Sequence, residues 1–111
     1  MIRVDKPWGW YETLHEGVDY KVKMLCVKKG HKISLQKHKK RTEIWTCVKG
    51  HPLVIQGNLQ TYMGSQDTIT IAKDEAHRIE AHIDDVLILE LQQGICEEED
   101  ITRLYDDYNR E

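Results

Sequence analysis

Four side chains able to hold a divalent ion fall at a spacing that neighbouring strands can bring together: Gln36, His38, Glu43 and, further on, His77. One residue separates Gln36 from His38, so on an extended strand they share a face with Ser34 while Ile33 and Leu35 take the other. Glu43, Trp45 and Cys47 share a face of the next run, and a turn through Lys39-Lys40-Arg41 returns Glu43 beside His38. His77, Ile79 and Ala81 share a face of a later run. Imidazole binds ions such as Zn and Ni, and carboxylate and amide oxygens suit harder ions. The expected cofactor is one divalent ion (Zn, Mn, Fe, Co or Ni), with a coordination position left open for water or substrate.

These residues need a scaffold of short strands, and the chain supplies one. Lys21–Val27, Ile33–His38, Glu43–Val48, Leu53–Ile55, Leu59–Met63, Thr68–Ile71, His77–His82 and Val86–Leu91 read as β-branched or alternating runs. Gln56-Gly57-Asn58 marks a hairpin turn. Short strands with Gly-marked turns predict an all-β sandwich or barrel. Nothing before Glu97 keeps a helical period. From Glu97 to Glu111 the chain is acidic, and Ile101, Leu104, Tyr105 and Tyr108 fall at helix-like spacing, so a short C-terminal helix or turn packed on the barrel is expected.

Composition narrows the classes. With 111 residues the chain is expected to form one domain, 1–111. It is 40% hydrophobic and 32% charged, with a net charge of -3. That balance argues against a general binder of nucleic acid or of an anionic membrane. No apolar run approaches the roughly 20 residues of a membrane span, and Met1–Trp10 lacks the apolar core of a signal peptide, so a cytoplasmic location is expected. Cys26, Cys47 and Cys96 read as unpaired thiols in a reducing compartment.

The spacing Gly30, Gln36, His38, Glu43, Gly50, then Gly64, Ile71 and His77 resembles the two cupin motifs. Pro7-Trp8-Gly9-Trp10-Tyr11-Glu12, Tyr20-Lys21-Val22-Lys23, Ser34-Leu35-Gln36, Arg41, Trp45, His77-Arg78 and the stretch Asp100 to Tyr108 are similar to the C-terminal domain of type II mannose-6-phosphate isomerases. The resemblance implies a cupin jelly-roll barrel. It further implies metal-dependent interconversion of mannose 6-phosphate and fructose 6-phosphate, with a sugar phosphate as ligand and a homodimer as assembly. In that family the domain follows a guanylyltransferase domain, which is not expected within these 111 residues. Lys39 and Lys40 stand where the family is histidine-rich, and Ala72-Lys73-Asp74 where it commonly has Pro-x-Gly, so the rim of the pocket differs.

Arg41, in the expected turn, could hold the phosphate or stabilise charge on the sugar oxygens. Lys21 and Lys23 share a strand face and are candidates for proton transfer, as is a metal-bound hydroxide; Arg41, Lys21 and Lys23 are the expected catalytic residues. Arg78 alternates away from His77, which predicts a surface or interface position. Trp8, Trp10 and Tyr11 read as packing around a Pro-Gly bend. His15, His31, His51 and His82 lie in or near turns and are expected to take no catalytic part. Two other readings remain open: a non-catalytic cupin that binds a sugar or other small ligand, and a metal-dependent oxygenase.

Overall fold

The computed structural model describes residues 2–108. The strands, in chain order, are β1 (Arg3–Lys6), β2 (Gly9–Glu16), β3 (Tyr20–Val27), β4 (Leu35–Lys37), β5 (Arg41–Lys49), β6 (Leu53–Gln56), β7 (Leu59–Tyr62), β8 (Thr68–Ile71), β9 (His77–Glu80), β10 (Val86–Gly94) and β11 (Thr102–Tyr105). They form two antiparallel sheets, ordered β1-β2-β3-β10-β5-β8 and β11-β4-β9-β6-β7. No helix occurs among the described residues, so none is long and apolar enough to cross a membrane.

The inward faces of the long central strands change character along their length. On β10 the buried series runs Val86, Ile88, Glu90, Gln92; on β5 it runs Cys47, Trp45, Glu43, Arg41. Antiparallel register lays these series side by side, pairing Ile88 with Cys47, Glu90 with Trp45 and Gln92 with Glu43. Strand β3 repeats the trend, with Val27 and Leu25 at one end and Lys23, paired with Glu90, at the other. One end of the barrel is therefore closed by apolar packing that includes Val54, Met63, Ile79 and Ala81. The other end is lined by charge and cannot collapse into a dry core.

Every run expected from the sequence carries a strand. The run expected at Ile33–His38 is ladder-paired only over Leu35–Lys37. Strands β1 and β2 were not anticipated. Their hairpin turns at the Pro7-Trp8-Gly9 bend, where Trp8 is buried in the core. Gly9 has φ +152, and a Cβ there would collide with the carbonyl oxygen of Cys26. No larger residue fits that close approach.

Two expectations are corrected. Of the helix or turn expected at the C-terminus, the helix does not form: turns occur at 98–99 and 107–108, with the strand Thr102–Tyr105 between them. It pairs with the edge of β4, placing Arg103 opposite Gln36. Leu104 and Tyr105 remain exposed, whereas Ile101 lines the cavity and Tyr108 packs against the core. Arg78 is not at the surface; it is 6% exposed. Its Nε donates to the Ile33 carbonyl at 2.8 Å, its Nη2 reaches Asp107 at 3.4 Å, and Tyr105 covers the guanidinium. Strand β9 is buried on both faces because the C-terminal segment lies across the outer one. Arg78→Met is expected to lower the unfolding free energy by about 1–3 kcal/mol by removing these charge-assisted bonds. An unchanged urea midpoint would contradict that role.

Candidate metal centre

His38, Glu43 and His77 converge at the polar end of the barrel, all buried, each offering one ligand atom with all such atoms within 4.8 Å of one another. Three elements supply them: the end of β4, the start of β5 and the start of β9. Gln36 pairs directly with His77 in the ladder and lines the adjoining cavity, where its Oε1 accepts from Ser34 Oγ at 3.3 Å.

Both imidazoles are oriented by backbone carbonyls. His38 Nδ1 donates to the Asp100 carbonyl at 2.6 Å, and His77 Nδ1 donates to the Glu75 carbonyl at 2.8 Å. A carbonyl can only accept, so each Nδ1 carries the proton and each Nε2 presents a lone pair. Burial, reinforced by the nearby Arg41 charge, pulls His38 down to about 4, and burial likewise lowers His77. Both rings are therefore neutral near neutral pH.

The two lone pairs face a carboxylate. His38 Nε2 lies 3.4 Å from one Glu43 oxygen and His77 Nε2 lies 3.7 Å from the other. Acceptors turned toward one another in a buried place require a cation between them or a donor beside them. Arg41 supplies part of this, donating from Nε to Glu43 at 2.9 Å and approaching His38 Nε2 with Nη2 at 3.3 Å. His77 Nε2 has no hydrogen-bond partner among the described residues. Two neutral imidazoles, one of them with an orphaned buried nitrogen, and one carboxylate fit a divalent ion.

Arg41 opens β5 and is buried, rather than sitting in a solvated turn. Its third partner is the Glu97 carbonyl, to which Nη1 donates at 3.0 Å. Lys39 and Lys40 form the bend outside, with backbone N–H groups donating to the Asp100 carboxylate at 3.0 and 2.8 Å. Lys23 is buried and lines the cavity, whereas Lys21 lies in an adjoining surface groove. Both ammoniums reach Glu98, at 2.6 and 3.4 Å respectively. His15, His31, His51 and His82 bond outside the cavity, to Tyr20, Tyr108, Asp84 and Glu80.

Glu90, Gln92 and Glu98 line the cavity and were not singled out from the sequence. A signal existed for the first two: they continue the inward series Val86, Ile88 with polar residues. Glu90 is held from both sides, accepting from Trp45 Nε1 at 2.9 Å and from Gln92 Nε2 at 2.7 Å. Trp45 Nε1 also donates to Glu43 at 3.2 Å, bridging the two carboxyls. Burial, with the Glu43 charge adding to it, pushes Glu90 up to about 7.

A two-sheet antiparallel barrel with a His, Glu, His cluster at its polar end is a cupin. Solved structures agree on the fold. KdgF from Halomonas superposes with a TM-score of 0.82 at 15% identity, covering 89% of this chain and 91% of that one. A cupin-2 domain from Rhodospirillum rubrum superposes with a TM-score of 0.70 at 18% identity, covering 82% and 67%. The chain belongs to the family described as mannose-6-phosphate isomerase C-terminal, whose model matches residues 1–106. It is 33% identical over 109 residues to the mannose-1-phosphate guanylyltransferase ManC of Salmonella typhimurium, covering 96% of this chain and 23% of that protein. The chain thus spans about a quarter of the length of the curated relatives it matches.

A carboxyl whose folded pKa is raised stabilises the fold fully below its unfolded value, and the contribution is lost as pH rises through the folded value. For Glu90 that window runs from the ordinary value of 4.5 up to about 7. The ion-free protein is therefore expected to lose stability across this range, and Glu90→Gln to flatten the loss. Urea midpoints measured across the window check this; equal slopes in the two proteins would contradict it.

Proposed function

We propose that the chain is a divalent-metal-dependent isomerase of sugar phosphates that interconverts mannose 6-phosphate and fructose 6-phosphate. The observation that carries the reading is the orphaned Nε2 of His77, turned toward Glu43 beside His38 in a chain of this family. His38, Glu43 and His77 would hold the ion, and Gln36, on the wall beside His77, would complete the set. Bound there, a divalent ion supplies a Lewis acid for the carbonyl and hydroxyl oxygens at C1 and C2 of the open-chain sugar.

The remaining work falls to the chain's own side chains. The reaction removes the proton from C2 and delivers one to C1, while the hydroxyl proton moves between O2 and O1. Among the described residues the cavity holds two carboxyls besides Glu43, namely Glu90 and Glu98. Glu90 is the buried one, fixed by Trp45 and Gln92, and is assigned to carry the proton. Arg41 is a positioning residue: it fixes Glu43 and His38, and through the Glu97 carbonyl it ties the loop after β10 to the site.

Two measurements test this. Purified protein loaded in turn with Zn, Mn, Fe, Co and Ni should interconvert the two sugar phosphates with at least one ion. His77→Ala should weaken metal binding by more than about 100-fold, a larger loss than removal of an outer-shell partner causes; Gln36→Ala should weaken it less. Glu90→Gln should lower kcat with little change in KM. Stoichiometric metal binding without turnover would sink the isomerase reading in favour of a non-catalytic binding protein.

A further inference from the structure

Lys23 is 4% exposed, and its ammonium sits 4.4 Å above the Tyr11 ring at the cavity wall. A buried ammonium must be neutralised. Glu90, its cross-strand neighbour, already has both oxygens engaged by Trp45 and Gln92. The counter-charge comes instead from Glu98, whose Oε1 accepts from Lys23 at 2.6 Å. Yet the Glu98 side chain is 56% exposed and sits on the turn at 98–99 between β10 and β11. The pair is thus lopsided: the cation is almost wholly buried, whereas the anion is already half in solvent and can leave.

Arg103 lines the same cavity from β11, and its Nε is buried without a hydrogen-bond partner among the described residues. Arg41, by contrast, has its fork committed to Glu43, the Glu97 carbonyl and His38. Lys23 and Arg103 therefore keep cationic capacity for a ligand that the committed fork of Arg41 lacks. A phosphate dianion offers three strong acceptor oxygens and more charge than one carboxylate, so it competes well for such donors.

We propose that Lys23 and Arg103 form the subsite for the phosphomonoester group of the ligand, and that Glu98 occupies it as an internal stand-in which the incoming phosphate displaces. The inference rests on the sugar-phosphate reading only for the identity of the anion. Inorganic phosphate is the probe, titrated calorimetrically into the purified full chain at constant ionic strength balanced with chloride. Glu98→Gln, a change at a half-exposed side chain, should bind phosphate about tenfold tighter than the unmodified chain, the effect of freeing one charged hydrogen-bonded site. Adding Lys23→Met or Arg103→Met to Glu98→Gln should abolish the gain. Glu97→Gln removes an equal charge from an exposed pair with Lys40 and should leave binding unchanged. The proposal is overturned if Glu98→Gln binds no tighter, if Glu97→Gln gains as much, or if the double variants keep the gain. Phosphate binding as described without isomerase turnover would overturn the isomerase reading alone. Turnover with an indifferent Glu98 would overturn the subsite alone.

Discussion

Two imidazole nitrogens and a carboxylate are held face to face at a buried site, and much of the polar half of the barrel is arranged around that constraint. Glu43 stands between two imidazoles whose protons are fixed on the far nitrogen by the carbonyls of Asp100 and Glu75. Neither ring can answer the carboxylate with an N–H on the near side. Arg41 relieves the repulsion at Glu43 and His38 but leaves His77 unanswered. Such a centre costs stability in the absence of a cation, and a cation bound there as proposed would return it, coupling metal affinity to fold stability.

The barrel tolerates this because its strands grade from apolar to polar along their length. A closed end packed by Val27, Val54, Ile79, Val86 and Ile88 carries the burial that holds the sheets together. The polar end is then free to keep Lys23, Arg41, Glu43, Glu90 and Gln92 at low exposure, each hydrogen-bonded to a neighbour on its own strand or another segment. Antiparallel register converts residues far apart in sequence into adjacent pairs, as with Gln92 and Glu43. The site is therefore a property of the pairing as much as of the residues.

Much of this was legible in the sequence. The period of two places Gln36 with His38 and sets Glu43 and His77 on inward faces, because alternation is local and survives whatever the sheets do. What alternation cannot say is whether an outward face meets water. Arg78 alternates outward as read, but the C-terminal segment covers it. That segment in turn misled because its apolar spacing suits a helix, while the open edge of β4 rewarded an extended chain. Arg41 was misplaced by one structural step, since the turn ends at Lys40. Glu98 carried no readable signal: its role depends on a loop bringing it to Lys23 across a separation that no local pattern encodes.

Strand β11 has a consequence for how the molecule is made. A ribosome completes β4, β5, β9 and β10 before it produces β11, the strand that brings Arg103 to the cavity wall. The clustered side chains of His38, Glu43 and His77 thus emerge well ahead of this last wall of the cavity. Under the proposed function, a nascent chain can therefore meet its ion while the cavity is still open on one side.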